Sequence, residues 1–323
     1  GSNSGELDNP LWAMEKNPNS DKVSRVIGNY GIDYKPLKWL NVSLKAGMDI
    51  YTMQGLSGYD AEAYGANFSG STFVGGGLNT FSENKILYNG NLTVTAKKTF
   101  GKFSPRVTLG YDVSDDRDQT TAQFGTRFYQ SGFFSINNTD PTTHRVQFTD
   151  IYKRKMGAFG QAELGYADML YFTLTGRQDY SSTLSPGDVS FFYPATSLSF
   201  VFTELPVFKK LSWLTEGKFR ASWGQGGKDA RTAYIKKTKL IAQTTTGGGF
   251  AIDVNLGNPE LRAEFTTTTD LGMDLVFLKN RLSMNFSYFK TKSDGQITAP
   301  RLSYATGSIL AYINSGVIEN RGL

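Results

Sequence analysis

The sequence predicts an all-β chain, an antiparallel meander of about ten strands that crosses a membrane as part of a β-barrel. Three observations predict it. Ten segments alternate apolar and polar residues with a period of two, and no segment of comparable length fits helical spacing better. Short turns and long glycine-rich loops alternate along the chain. The apolar face of each segment carries no charged residue, whereas the opposite faces carry Lys, Arg, Asp and Glu.

The strands follow in order. Val26, Gly28, Tyr30, Ile32 and Tyr34 form one face of the first, and Leu40, Val42, Leu44, Ala46, Met48 and Ile50 form that of the second. Ile86 to Ala96 gives the third, with Lys85, Asn89, Asn91, Thr93, Thr95 and Lys97 opposite. Val107, Leu109, Tyr111 and Val113 mark the fourth, and Met156 to Tyr166 the fifth. The sixth sets Leu170, Phe172, Leu174 and Gly176 against Tyr171, Thr173, Thr175, Arg177 and Asp179. The seventh sets Phe192, Pro194, Thr196, Leu198, Phe200 and Phe202 against Tyr193, Ala195, Ser197, Ser199 and Val201. In the eighth, Trp213, Thr215, Gly217, Phe219, Ala221 and Trp223 oppose Glu216, Lys218, Arg220 and Ser222. Phe265 to Phe277 and Leu282 to Tyr288 supply the ninth and tenth. The tail from Ile313 to Leu323 leads into an eleventh.

Short turns fall at Lys35–Lys38, Phe100–Lys102, Ala167–Asp168, Leu205–Ser212 and Lys279–Asn280. Long loops fall at Tyr51–Ser82, Asp115–Asp150, Ser181–Ser190, Gln225–Arg262 and Ser293–Tyr312. All the long loops sit on one end, the plan of an outer-membrane barrel. A two-layer sandwich would instead turn the apolar faces inward as a core. Aromatic residues near the strand ends, among them Trp39, Trp213, Trp223, Tyr34, Tyr111, Tyr166, Tyr180 and Tyr288, favour the membrane reading, since such rings form interfacial belts.

Composition narrows the function. The 323 residues contain no cysteine, which excludes a disulfide framework and cysteine-based metal sites. The net charge is +5 with the cations dispersed along the sequence, so nucleic-acid binding is not expected. There is no apolar run long enough for a transmembrane helix. The polar start Gly1-Ser2-Asn3-Ser4-Gly5 and the stop at Gly322-Leu323 have the look of cut ends. An open sheet in lipid would leave unpaired edges, so further strands are expected from residues beyond this chain.

Several strings carry a family resemblance. Phe172-Thr173-Leu174-Thr175-Gly176-Arg177-Gln178-Asp179-Tyr180-Ser181-Ser182-Thr183-Leu184 and the strand Phe192 to Phe200 resemble the "GR-D-SS" hairpin of the SusC/RagA-type TonB-linked outer-membrane proteins of Bacteroidetes. Lys218 to Gly227 is similar to the "LRASWGQ-GN" strand of that family. Asn258-Pro259-Glu260-Leu261-Arg262-Ala263-Glu264 resembles its "NP-LK-E" segment, and Asn9-Pro10-Leu11-Trp12 its "NP-W" segment. Phe219, Lys228 and Asp270 depart mildly from the commoner residues. The resemblance covers nearly the whole chain and implies a partial barrel, residues 1–323, of a transporter of about 22 strands. The plug, the TonB box and the last strands are not among these residues. By resemblance, the protein imports nutrient oligomers, glycans first and peptides next. A SusD-like surface lipoprotein acts as its lid, and the TonB–ExbB–ExbD complex works through the absent N-terminal part. An outer-membrane barrel that displays its loops for binding or adhesion without transport is the alternative.

Candidate ligand contacts lie on the long loops, because sugar faces stack on rings while hydroxyls need donors and acceptors. Tyr59, Tyr64, Phe68 and Phe73 lie in one loop; Arg127, Phe128, Tyr129, Phe133 and Phe134, with Asn137, lie in the next. The plainer reading packs these rings against each other or against a partner. Asp115, Asp116 and Asp118 would suit a hard cation, but a solvated loop is the simpler account. His144, the single histidine, has no serine in a nucleophile-elbow context, so no catalysis, cofactor or metal is expected. Gly75-Gly76-Gly77 and Gly247-Gly248-Gly249 do not stand between a strand and a helix and are no phosphate cradle.

Overall fold

A computed structural model describes residues 9–63, 67–68, 71–72, 75–184, 187, 189–242 and 248–323. Eleven strands form one antiparallel sheet: β1 (Asn19–Leu37), β2 (Leu40–Tyr59), β3 (Gly77–Lys97), β4 (Phe103–Thr126), β5 (Arg145–Tyr166), β6 (Leu170–Ser181), β7 (Ser190–Val201), β8 (Leu214–Lys228), β9 (Glu264–Phe277), β10 (Leu282–Asp294) and β11 (Val317–Gly322). Each strand pairs with its neighbours in chain order, so the sheet is a pure meander. The last strand is the one into which the tail was expected to lead.

The short turns explain the tight hairpins. Ala167 and Asp168 have φ of 52° and 56°, and the Met169 N–H donates to the Tyr166 carbonyl at 3.1 Å. Two consecutive positive φ values give the two-residue turn whose twist matches paired strands. Gly101, at φ 59°, makes the turn between β3 and β4. Between β7 and β8 the chain takes two single 3-10 turns, Phe202–Glu204 and Phe208–Lys210.

Two expectations change. The regions expected as loops at Tyr51–Ser82 and Asp115–Asp150 are shorter, because β2 runs on to Tyr59, β3 begins at Gly77, β4 runs on to Thr126 and β5 begins at Arg145. Beyond the lipid both faces of a strand are wet, so backbone pairing continues after the apolar alternation has stopped. The second change is a short helix, Pro10–Lys16, capped by the Asn9 side chain, which accepts the Leu11 N–H at 2.9 Å. Seven residues are too few for helical periodicity to show, although a cap residue before proline is a helix-start signal.

The chain divides into two compact units. One holds residues 30–46, 89–114 and 153–323, and its register settles which face meets which solvent. Leu164 pairs with Phe172, Phe172 with Leu198, Leu198 with Ala221, Ala221 with Leu271, and Leu271 with Tyr288. The next apolar row is Tyr166, Leu170, Phe200, Phe219, Met273 and Phe286. Directly paired residues share a face, so these rows are continuous bands. Among the described residues Phe172, Leu198, Phe219, Leu271 and Phe286 in these rows are all exposed. A sandwich would have buried them. The most deeply buried apolar side chains lie outside the strands instead, with Leu184 and Leu261 packed beside Ala230, Ile235 and Ala263. Apolar strand faces left bare, with the main buried apolar cluster beyond the strand ends, are what a lipid-facing wall requires.

The opposite face is polar and internally paired. Arg177 makes a bidentate pair with Asp112 at 2.8 and 2.9 Å, and its Nε lies 2.7 Å from Asp179. The Tyr193 hydroxyl donates to Asp179 at 2.5 Å. The guanidinium also lies 5.7 Å from the Phe159 ring centre, over a site kept open by Gly157. Arg220 pairs with Asp274 at 2.8 Å. These residues staple the strands of the sheet to one another.

Candidate ligand-facing loops

The second unit holds residues 1–29, 47–88 and 115–152 and contains the best-built loop site. Asp60 follows the end of β2 and is 2% exposed. Its carboxylate accepts the Ser131 hydroxyl at 2.8 Å, the Gly132 N–H at 3.0 Å and the Glu62 N–H at 3.1 Å. Its own N–H donates to Asn17, the residue that ends the helix, at 2.9 Å. Burial pushes the Asp60 carboxyl up, but these donors and the charge of Lys16 outweigh it and hold the group below the ordinary carboxylate value.

The loop beyond Ser131 is locked a second time. The buried Asn138 amide donates to the carbonyls of Gln130 and Phe133 at 2.8 and 2.6 Å, and its oxygen accepts the Gln130 N–H at 3.1 Å. Thr139, fully buried, donates to the Ile136 carbonyl at 2.6 Å and lies 2.8 Å from His144 Nε2. Thr139 therefore accepts from the imidazole, and His144 has a structural partner rather than a nucleophile.

The nine ligand candidates separate in this setting. Phe128 and Phe134 form an edge-on pair at 5.5 Å. Phe128 fills the space over Gly76, whose φ of 82° favours glycine, and Phe134 fills that over Gly58. Arg127 pairs with Asp140 at 3.0 Å and donates to Thr142 at 3.2 Å. The Thr142 hydroxyl and N–H hold the Asp140 carboxyl below its ordinary value, with Arg127 assisting. Tyr59 is half-buried at the end of β2. Tyr129 and Phe133 point outward, 71% and 56% exposed. Phe68 lies in a two-residue strand, Asn67–Phe68, paired with Ser71–Thr72. Tyr64 and Phe73 lie outside the described residues.

The acidic run does not assemble a cation site. Asp115, Asp116 and Asp118 lie within β4; Asp115 accepts the Tyr152 hydroxyl at 2.8 Å and Asp118 lies 3.5 Å from Lys85. Among the described residues no group of acidic or histidine side chains is placed to hold a metal.

The larger unit contributes two further features. Asp229, just past β8, accepts Lys155 at 2.7 Å, Ser181 at 2.7 Å and Thr183 at 3.1 Å. Burial raises its carboxyl, but these three partners together hold it below the ordinary value. Lys236 donates to the carbonyls of Ser182 and Leu184 at 3.3 and 2.9 Å. The β6–β7 hairpin tip is thereby tied to the loop that follows β8. The sequence marks this tip as the loop Ser181–Ser190 and does not single out Asp229. The only hint was that Asp229 follows the Gly224–Gly227 run.

The second feature is a shallow depression of about 410 Å³ on the polar face of β6 to β9. Ala195 faces Gly224 across the ladder, leaving a floor with no side chain larger than a methyl group there. Thr173, Thr175, Ser222, Thr268 and Asp270 line its sides.

Comparison with known proteins agrees with this architecture. Residues 2–323 match the family model described as TonB dependent receptor-like, beta-barrel. TonB-dependent receptor P26 of Formosa agariphila is 26% identical over 97% of this chain and 32% of its own length. TonB-dependent receptor SusC of Bacteroides thetaiotaomicron is 22% identical over 100% of this chain and 32% of its own. The RagAB peptide importer in its closed-closed state superposes with a TM-score of 0.86 at 16% identity, covering 96% of this chain and 34% of that one. The chain thus spans about a third of the length of the relatives it matches. Two of these relatives are TonB-dependent receptors and the third is a peptide importer. With lipid-facing rows, a paired polar face and a family match along essentially its whole length, the chain belongs to the TonB-dependent receptor-like β-barrel family of the outer membrane.

Proposed function

We propose that the protein imports nutrient oligomers across the outer membrane, glycans foremost, with a SusD-like surface lipoprotein as its partner and TonB–ExbB–ExbD as its source of energy. The observation that carries the reading is the loop from Arg127 to His144. It is locked from beneath by Asp60 and Asn138 and presents the rings of Tyr129 and Phe133 to solvent. A rigid loop loses little entropy on binding. The rings are flanked by Gln130 and Asn137, both exposed, while Arg127 is occupied by Asp140. Exposed ring faces beside neutral amides suit an uncharged sugar chain better than a charged peptide.

A peptide cargo is the second reading, favoured by the likeness to RagAB, which is described as a peptide importer. The test is calorimetry on the full-length transporter with its lipoprotein, using neutral oligosaccharides and mixed peptides. Tyr129→Ala or Phe133→Ala is expected to weaken glycan binding about tenfold, and Phe128→Ala to act through loop stability. Peptide binding without glycan binding would replace the cargo class. Ligand binding without TonB-dependent uptake into cells would leave a display barrel in place of a transporter.

A further inference from the structure

We propose that the short-turn end of the sheet is a docking surface for the headgroups of anionic phospholipids in the membrane leaflet it faces. The cations look dispersed in the sequence, but the meander gathers them. The five short turns with the strand ends beside them, residues 35–38, 97–102, 167–168, 204–210 and 278–281, hold nine cations against two carboxylates. That is a net charge of +7 on 23 residues, while the other 300 residues of the +5 chain carry −2.

Lys35 and Lys38 stand in the first turn and Lys97, Lys98 and Lys102 in the second; the fourth and fifth each add two more. All nine are exposed. Among the described residues only Lys209 has a carboxylate partner, Glu204 at 2.7 Å. This sets them apart from Arg177 and Arg220 on the polar strand faces, which are neutralised by carboxylates on other strands.

Ring side chains accompany the charges. Lys98 Nζ lies 5.1 Å from the Phe100 ring centre, Phe103 packs on Tyr166 at 4.9 Å, and Trp213 stacks on Phe277 at 5.8 Å. Phe100, Phe103, Trp213 and Trp39 are exposed. Rings settle at the level of the headgroups, and lysine stems lie along apolar surface while the ammonium reaches outward. Free ammonium groups beside an interfacial ring belt match lipid phosphates, which attract each nearby lysine with an effect of about fivefold in binding. Short turns of outer-membrane barrels face the periplasm, so the leaflet concerned is the periplasmic one.

The experiment uses the full-length transporter and native mass spectrometry after exchange into equal amounts of dioleoylphosphatidylglycerol and dioleoylphosphatidylcholine. Phosphatidylglycerol is expected to be retained at least about tenfold over phosphatidylcholine. That preference is expected to disappear in the triple variant Lys97→Gln, Lys98→Gln, Lys102→Gln and to persist in the loop control Lys237→Gln, Lys239→Gln. If the triple variant fails to insert, the wild-type preference still has to collapse between about 0.1 and 1 M salt. Equal retention of the two lipids overturns the proposal, as does a preference that ignores the lysines or the salt. Displacement of the lipid by millimolar inorganic phosphate would reduce the surface to a phosphate site. Capture of an acidic periplasmic protein with no lipid preference would assign the surface to a different partner.

Discussion

At the scale of the residue, two carboxylates, one buried and one half-buried, organise the loops. Asp229 holds a hairpin tip to the loop after β8, and Asp60 holds the aromatic loop against the end of β2. Hydrogen bonds to a charged group are worth about 1.5–3 kcal/mol, so Asp229→Asn is expected to speed amide exchange in residues 229–242 by about tenfold to a hundredfold, with β6 to β10 little changed. Hydrogen exchange on the full-length protein checks this. The folded-state pKa of both carboxyls is lowered, so their stabilisation is full above the unfolded value of about 3.9 and is lost as pH falls through the lower folded value. Exchange rates corrected for intrinsic chemistry are therefore expected to match at pH 7 and 5 and to rise only below about pH 4. A rise between pH 7 and 5 would mean that other groups hold the loops. Neither aspartate was legible beforehand, because its partners lie 71 and 48 residues away along the chain.

At the scale of the element, period-two alternation marked ten of the eleven strands, and the tail pointed to the last. The turns were legible too: Ala167–Asp168 and Gly101–Lys102 stand where the alternation breaks. Strand lengths were not, since β4 continues through Asp115, Asp116, Arg117 and Asp118, where neither face is apolar. The face assignment makes a sharp prediction. Leu198 and Ser197 are sequence neighbours on opposite faces of β7. In the full-length protein Leu198→Arg is expected to cost about 2–4 kcal/mol if mid-depth in lipid, and Ser197→Arg well under that. Urea titration of folding into lipid vesicles compares them, and equal costs would contradict the faces.

At the scale of the whole molecule, the sheet pairs its strands in chain order, and a membrane-spanning sheet has to close so that no edge meets lipid. The full-length protein is accordingly expected to resist sodium dodecyl sulfate until heated and to run as two bands, folded and unfolded, on gels. A single heat-independent band would speak against a closed barrel.

The sequence by itself determined the all-β class, the faces and the two ends, because alternation and turn chemistry are local and repeat in every strand. The motif strings placed it beside the SusC/RagA-type proteins for the same reason. Only the tertiary structure decided which loop rings are presented and which are packed. The separation of Tyr129 and Phe133 from Phe128 and Phe134 depends on Gly58, Gly76 and Asp60, residues that reach the loop only through folding. The gathering of dispersed lysines into one basic end had the same origin: an antiparallel meander returns every second turn to the same side, and charge separated in sequence becomes charge shared in space.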